Sequence, residues 1–99
     1  MHRVRVDVIK RPEYIVSYEQ WRHLTVVHVH VTRWSHKVAA RFREDIDAAQ
    51  RLLGKSVFGL ELPDGSNRKF LLTHGFVQCG MGPTENGETV PVYVRKLPP

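Results

Sequence analysis

An amphipathic helix between two segments that favour β-strands constrains the fold of this 99-residue chain more than any other feature. Within residues 38–53 apolar residues recur at intervals of three and four, which places them on one face of a helix of about five turns. Ser35 is a suitable N-cap, and Gly54 can end the helix in a left-handed conformation. The apolar positions are Val38, Phe42, Ile46, Ala49 and Leu53.

The segments on either side of this helix are predicted strands. Residues 24–32 form the most β-rich run of the chain, and residues 57–62 form a shorter run that is apolar at most positions. A strand, a helix and a second strand predict a βαβ unit with parallel strands and a right-handed crossover. In the first strand, alternation puts Val27, Val29 and Val31 on one face, and His28 and His30 on the other.

Two further strands are predicted before this unit. The valines of residues 4–8 alternate with charged residues, which is the period of a half-exposed strand. Residues 10–13 contain a proline and predict a turn, and residues 14–18 predict a second strand. The first two strands are therefore expected to form a hairpin.

A short helix is predicted after the βαβ unit. Ser66 or Asn67 can cap it by accepting a hydrogen bond from a free backbone N–H, and Gly75 can end it. Phe70 and His74 lie one turn apart, so that one side of this helix can pack against the rest of the protein.

The chain is predicted to end in a β-hairpin. Residues 76–81 and 89–96 favour strands, and Asn86-Gly87 is a strong signal for the turn between them. Because Pro91 cannot donate a hydrogen bond to a ladder, the last strand is expected at a sheet edge or a bulge.

These elements predict a single domain over residues 1–99, with the order β-β-β-α-β-α-β-β. The expected class is α+β or α/β, with one mixed sheet that has a central parallel strand pair and antiparallel flanks. The composition, with 41% hydrophobic and 25% charged residues, is that of an ordinary globular domain.

Composition also bounds the functions open to this chain. No apolar run is long enough to span a bilayer, and the N-terminal residues lack the apolar block of a signal peptide. The single Cys79 excludes an internal disulfide, fits a reducing compartment and is expected to be a buried small hydrophobe. The expected location is therefore the cytoplasm, with no membrane association. A net charge of +5 is compatible with nucleic acid, a phosphorylated cofactor or an acidic partner.

The element order and one motif resemble the GNAT superfamily of N-acetyltransferases. The motif is Ser66-Asn67-Arg68-Lys69-Phe70 running into His74-Gly75-Phe76, followed by a hairpin that ends in Val92-Tyr93-Val94-Arg95-Lys96. The resemblance covers the C-terminal two-thirds of a GNAT domain. It implies a GNAT-like fold in which acetyl-CoA, the possible cofactor, wedges between central parallel strands that splay apart.

By this resemblance the cofactor would lie between residues 28–31 and 58–62, with its pyrophosphate on the N-terminus of the long helix. A helix N-terminus presents free N–H groups and a positive dipole end, which suits phosphate. The residues implied in cofactor binding are Arg33, Ser35, His36, Lys37, Val38, Asn67 and Phe70.

Several positions depart from the GNAT pattern. The loop of residues 33–40 has no glycine, and Leu71 stands where the family often has a tyrosine that acts as general acid. On the central strand, His28 and His30 stand where a glutamate often serves as general base, so these two histidines are the candidates for that role. Small, glycine-poor GNAT-like proteins of tailed bacteriophages resemble the chain better. For a phage-encoded protein, the location would be the cytoplasm of the bacterial host or the virion.

Other chemistry is less well supported by the sequence. His28 and His30 share a strand face, but a third metal ligand is not evident, so no metal site is predicted. The basic residues of the long helix could follow a nucleic-acid backbone, although Glu44, Asp45 and Asp47 interrupt them.

Three functional hypotheses follow. The first is a catalytically degenerate GNAT-like module that acts through a protein partner or through self-association. A phage particle is one setting in which such a module would act. The second is a minimal acetyl-CoA-dependent N-acetyltransferase, and the third is a small nucleic-acid-binding domain. The strands at residues 4–8 and 89–96 are the expected sheet edges for pairing with another chain.

Overall fold

The computed structural model describes residues 4–84 and 86–97, which form six strands and two helices. In chain order these elements are β1 (Arg5–Lys10), β2 (Tyr14–Trp21), β3 (Leu24–Val31), α1 (His36–Leu53), β4 (Val57–Leu60), α2 (Arg68–Thr73), β5 (Val77–Pro83) and β6 (Thr89–Arg95). All six strands belong to one mixed sheet, so the prediction of a single mixed sheet in the α+β class is confirmed.

The strand order across the sheet is β1-β2-β3-β4-β6-β5. Neighbouring strands pair antiparallel at every position except one, because β3 and β4 run parallel. This parallel pairing is short: its register joins only Val26 to Phe58. The middle of the sheet is therefore its least extensively paired part.

Of the two alternatives predicted for the last strand, a sheet edge or a bulge, the edge is wrong. A register irregularity does lie next to Pro91, where the pairing of β5 with β6 shifts between Gln78 and Gly80. β6 lies between β4 and β5, and the free edges of the sheet are β1 and β5. Pro91 is tolerated inside the sheet because its backbone faces the end of β4, where its C=O accepts the Glu61 N–H at 3.0 Å. Since β4 ends at Leu60, the missing N–H of Pro91 removes one bond beyond the end of that ladder.

The hydrophobic core lies between one face of the sheet and both helices. Its members come from α1, from α2 and from the strand positions that alternate toward the same face. Phe42 and Ile46 of α1 are completely buried there, as the helical period predicts. The buried core residues are Tyr14, Val16, Val27, Val38, Phe42, Ile46, Val57, Leu71, Phe76 and Tyr93.

Helix α1 has the predicted caps. The Ser35 side chain accepts a hydrogen bond from the Val38 N–H at 3.2 Å, and Gly54 is left-handed with φ of 76°. The helix also carries Gln50, a fully buried polar residue that the apolar pattern does not include. Its Nε2 donates to the Arg95 carbonyl at 2.7 Å, so this amide joins α1 to β6.

Strand β1 is more exposed than its alternating pattern predicts. Val4, Val6 and Val8 are all exposed, and only Ile9 is half-buried. β1 is an edge strand, and its register with β2 shifts between Asp7 and Ile9. The three valines are therefore not part of the core.

Candidate functional site

A cleft opens where β3 and β4 separate. Beyond the pair formed by Val26 and Phe58 the two strands diverge, and the space between them holds about 780 Å³. Residues 26–31 line one side of the cleft, and residues 59–63 line the other. This volume is within the range of small-molecule and cofactor sites.

Some backbone N–H and C=O groups at the end of β4 face this cleft. The Glu61 N–H points to β6, where it donates to Pro91. Because successive residues of an extended chain point their backbone groups to opposite sides, Leu60 and Leu62 point theirs toward β3. β3 has already diverged at this level, so these groups need another partner.

Asn67 is that partner. Its Oδ1 accepts from the Leu62 N–H at 2.7 Å, and its Nδ2 donates to the Leu60 carbonyl at 3.0 Å. The carboxamide therefore satisfies the β4 edge as a neighbouring strand would. Asn67 occupies the N-cap position of α2 but makes no side-chain cap bond, so the prediction that its side chain caps the helix is wrong.

The edge of β3 is open on the same side. Phe58 precedes Glu61 by three residues, so its N–H and C=O point to the opposite side, toward β3. In a parallel pair these two groups bond to the residues on either side of the paired residue, which here is Val26. The odd-numbered residues of β3 consequently face β4. Val29 lies beyond the paired position, so its N–H and C=O face the cleft without a described strand opposite them.

Helix α2 closes the cleft at the covered side of the sheet. Leu71 packs so closely on β4 that a Cβ on Gly59 would lie 2.9 Å from its Cδ2. Phe70 lines the cleft, and its ring lies 5.3 Å from that of Phe42 and 4.5 Å from that of His74. Gly75, which follows α2, has a left-handed backbone with φ of 85°, as predicted.

The predicted pyrophosphate residues lie beyond the cleft, directly after β3 in the chain. Val31 is the last residue of β3 to line the cleft, and Arg33, His36 and Lys37 follow it with exposed side chains. The Ser35 hydroxyl is engaged with the N–H of Val38, and the Val38 side chain is buried in the core. Of the residues predicted to bind the cofactor, Asn67 and Phe70 thus line the cleft. Residues 33–38 do not line it and follow the end of β3 in the chain.

The two histidines of β3 line the cleft on the face that has no helix. His28 Nε2 lies 2.7 Å from Oε1 of Glu19, a residue of β2 that is only 4% exposed. Arg5 on β1 approaches the same carboxylate at 3.6 Å. His30 is exposed two residues further along the strand.

Sequence reasoning did not identify Glu19. The signal was the pair of polar residues, Ser17 and Glu19, at alternate positions of β2. Both are buried, and a buried carboxylate requires a partner. The partner is fixed by the register of β2 with β3, in which Ser17 is opposite His28.

A second buried carboxylate lies on the β4 side of the cleft. Glu61 accepts two hydrogen bonds from Arg68, at 2.9 and 3.0 Å, and one from the Tyr93 hydroxyl at 2.7 Å. The Arg68 guanidinium, helped by Tyr93, holds the pKa of Glu61 below its ordinary value. These three hydrogen bonds tie α2 and β6 to the residue that follows β4.

A smaller groove of about 280 Å³ lies on the helix-free face of the sheet. Cys79 lines it and is exposed, so the expectation of a buried cysteine is wrong. Cys79 lies on β5, an edge strand of the sheet, at the point where the register of β5 with β6 shifts. The apolar residues of the groove are Trp21, Leu24, Val26, Phe58, Leu60, Met81 and Val92.

The basic residues of and around α1 are partly neutralised. Arg11 donates twice to Asp45, at 2.9 and 3.0 Å, and this guanidinium lowers the pKa of Asp45. Arg41 pairs with Glu13, and Arg95 pairs with Asp47. The helix therefore offers no continuous positive stripe of the kind that follows a nucleic-acid backbone.

Two kinds of feature are absent from the described residues. In residues 4–84 and 86–97, no group of three or more His, Cys, Asp or Glu side chains is placed to hold a metal ion. Neither described helix is long and apolar enough to cross a membrane.

Comparison of the chain with protein-family models, with curated proteins and with solved structures finds no match. The assignment of a function therefore depends on the geometry of the cleft.

Proposed function

We propose that this chain is a GNAT-like protein whose cleft binds acetyl-CoA. The observation that carries the proposal is the separation of β3 and β4 after a single residue pair, which leaves the backbone of Val29 facing the cleft. An extended ligand that contains amide groups can bind such an edge as an added strand does. The pantetheine arm of acetyl-CoA is extended and carries two amides.

The position of α1 supports the same ligand. The helix begins four residues after the end of β3, and the positive side chains of Arg33 and Lys37 lie at its N-terminus. A helix N-terminus with nearby cations favours a pyrophosphate. The parallel pairing of β3 with β4, on either side of the α1 crossover, also supports a GNAT-like arrangement.

Titration calorimetry with acetyl-CoA, and with CoA as the companion ligand, tests this function. We expect wild-type protein to bind both, because the adenosine, the pyrophosphate and the pantetheine arm are common to the two. Leu62→Trp should weaken binding at least about 10-fold, because Leu62 lines the cleft and a larger side chain there obstructs an extended ligand. The matched control is Leu52→Trp on α1, where the side chain is 91% exposed and does not line the cleft. No heat at millimolar ligand would reject the proposal.

A double variant that reverses two charges at the N-terminus of α1 tests where the pyrophosphate binds. Arg33→Glu with Lys37→Glu should weaken acetyl-CoA binding, because it replaces two cations at the N-terminus of α1 with anions. Arg51→Glu with Lys55→Glu changes the net charge equally at the other end of the helix and should leave binding unchanged. Equal losses in the two variants would indicate a general charge effect without a pyrophosphate site.

A second candidate function is that of an interaction module, with a second copy of the chain as its partner. β5 is a free edge of seven residues, none of which is charged, and Val77 and Met81 on it are 64% and 59% exposed. The other free edge, β1, carries Arg5, Asp7 and Lys10, which discourage edge-to-edge pairing. The resemblance to small phage GNAT-like proteins supports this candidate, which requires no catalysis.

Light scattering on the purified chain over a range of concentrations tests the interaction module. Pairing through β5 predicts a dimer that Met81→Lys dissociates and that Val6→Lys on β1 leaves intact. A monomer at all concentrations, or equal effects of the two lysines, would reject pairing through β5.

A further inference from the structure

The ring of Trp34 lies where the outer surfaces of α1 and α2 meet. Its centroid is 5.7 Å from that of Phe42 on α1 and 5.5 Å from that of Phe70 on α2. The ring of His74, at the end of α2, is also 5.7 Å away. These contacts pack the indole against both helices, yet Trp34 is 42% exposed. A large ring that is packed on one side and open to solvent on another can stack with a ring from outside the protein.

The two chain segments that meet at Trp34 contain basic residues and no acidic ones. Residues 31–43 and 65–84 include neither Asp nor Glu, although the chain as a whole has 10 such residues. Positive charge is therefore concentrated on the segments around the indole, which favours a polyanion as the partner. The basic residues of these segments are Arg33, Lys37, Arg41, Arg43, Arg68 and Lys69.

Three of these cations adjoin the ring cluster. Arg33, Arg43 and Lys69 are exposed, and each is next in sequence to one of the clustered aromatic residues. In residues 4–84 and 86–97, none of the three forms an ion pair. Arg41 and Arg68, in contrast, are each paired with a glutamate. The three free guanidinium and ammonium groups are thus available to an anion from solution.

Arg43 is the cation that the middle of α1 contributes. The pKa of His74 is lowered by burial and then by Arg43, so this guanidinium lies close to the ring cluster. The next residue, Glu44, is exposed, but it is three residues after Arg41 and lies on the same side of the helix as that residue. Arg41 pairs with Glu13, just before β2, so this side of α1 faces away from α2.

We propose that these four residues, Arg33, Trp34, Arg43 and Lys69, form a patch that binds single-stranded nucleic acid. A base stacks on the indole, and the cations attract the phosphates on either side of that base. A duplex fits this Trp34 patch less well, because its bases are stacked on one another and offer no free face. An acidic peptide would neutralise the cations but leave the indole without a stacking partner.

The Trp34 patch lies outside the cleft, because none of its four residues lines that space. The inference therefore goes beyond the proposed binding of acetyl-CoA and does not depend on it. Arg33 also belongs to the proposed pyrophosphate contact, so the variants that test the patch are made at its other three residues.

Fluorescence anisotropy of a labelled oligothymidylate of about 12 nucleotides, at low salt, measures binding to the Trp34 patch. Trp34→Leu should weaken binding about 10-fold or more, because leucine keeps apolar packing against the helices but cannot stack on a base. A duplex of the same length should bind wild-type protein more weakly than the single strand. Absence of binding, equal binding of the duplex, or wild-type affinity in a folded Trp34→Leu variant would overturn the inference.

A double variant at exposed positions tests the contribution of the cations without changing the packing. Arg43→Gln with Lys69→Gln should make the slope of log affinity against log salt shallower by about 1.4, since each phosphate contact to a single strand contributes about 0.7. The matched control is Arg51→Gln with Lys55→Gln, which removes two exposed charges at the other end of α1 and should leave the slope unchanged. An equal change of slope in both pairs would contradict a localised patch.

Tryptophan fluorescence identifies the ring on which the base stacks. The chain has two tryptophans, and Trp21 lines the groove on the helix-free face of the sheet. Addition of the oligothymidylate should quench the emission of Trp21→Phe protein, in which Trp34 remains, and should leave the emission of Trp34→Leu protein nearly unchanged. The reverse result would place the nucleic acid on the opposite face and overturn the inference.

The Leu62→Trp variant separates this inference from the proposed function. Obstruction of the cleft should weaken acetyl-CoA binding, while the affinity for the oligothymidylate should stay at the wild-type value, because Leu62 lines the cleft and is not part of the Trp34 patch. Loss of oligothymidylate binding in Leu62→Trp would overturn the patch as a separate surface, whatever the result for acetyl-CoA. Oligothymidylate binding without any acetyl-CoA binding would support the patch and reject only the proposed function.

Discussion

The two faces of the sheet differ in what their side chains do. On the face covered by α1 and α2, Val16 and Val27 are buried together with the apolar residues of both helices. On the helix-free face, the neighbouring residues Ser17 and His28 belong to a polar group that lines the cleft. Alternation along β2 and β3 produces both faces from the same strands. Stability and candidate chemistry are therefore carried by adjacent residues that point in opposite directions.

The largest expected effect comes from removing an aromatic ring on the covered face. Phe42→Ala should lower the free energy of unfolding by about 3–5 kcal/mol, because this fully buried ring contacts Tyr14, Trp34 and Phe70 and leaves a cavity. Leu52→Ala, an exposed position on the same helix, should change it by no more than about 0.5 kcal/mol. Denaturant unfolding measures both, and similar losses would contradict the assignment of the core to this face.

The covered face is also the part that the sequence predicts best. The helical period of residues 38–53 identifies Val38, Phe42 and Ile46 as core, and the alternation of β3 assigns Val27 and Val29 to the face beneath them. These predictions succeed because burial of one face imposes a regular spacing on local sequence. The caps of α1 are equally local, since a serine and a glycine at its ends suffice.

What the sequence did not reveal depends on contacts between distant residues. The placement of β6 inside the sheet follows from its pairing with β4. Pro91 by itself predicts an edge strand or a bulge, because proline cannot donate to a ladder. Asn67 is a plausible helix cap by sequence, but its carboxamide binds the β4 edge because β3 has diverged there. The His28–Glu19 pair results from a strand register, which alternation within one strand does not determine.

Asn67 lines the cleft and bonds to the backbone of residues 60 and 62. Asn67→Ala should destabilise the protein by about 1–3 kcal/mol, because it removes the partners of the Leu60 carbonyl and the Leu62 N–H. Asn67→Asp should give a smaller loss, since a carboxylate still accepts from Leu62 but cannot donate to Leu60. Thermal or denaturant unfolding measures the series. Equal stability of the alanine variant and the wild type would mean that water satisfies this edge.

His74 is a titratable residue on the covered face, and it should make stability depend on pH. Burial, with Arg43 and Arg95 nearby, lowers the pKa of His74 below its ordinary value of 6.5, and its Nδ1 has no hydrogen-bond partner in the described part of the chain. Below pH 6.5 the unfolded chain therefore binds a proton that the folded protein does not, so stability falls as the pH falls. One proton contributes up to about 1.4 kcal/mol per pH unit, until the folded-state pKa is reached.

The matching variant for this pH effect is His74→Phe, which keeps a ring in the cluster with Trp34 and Phe42. Denaturant unfolding at pH values from 7.5 down to about 5 should show a shallower loss of stability in the variant than in the wild type. The two proteins should have the same pH dependence above pH 7, where His74 is neutral in both states. Parallel curves across the whole range would contradict a neutral, buried His74.

The smallest effect is expected on the helix-free face, at Ser17. Its hydroxyl donates to Oδ1 of Asp7 at 2.7 Å, and the Asp7 side chain is 40% exposed, so water can replace the lost bond. Ser17→Ala should therefore cost only about 0.5–1 kcal/mol, although Ser17 is as buried as many core residues. Denaturant unfolding of Ser17→Ala beside Phe42→Ala measures the contrast between the faces. A loss as large as that of Phe42→Ala would mean that the polar group on the helix-free face holds the sheet together, and that the separation of stability from chemistry is incorrect.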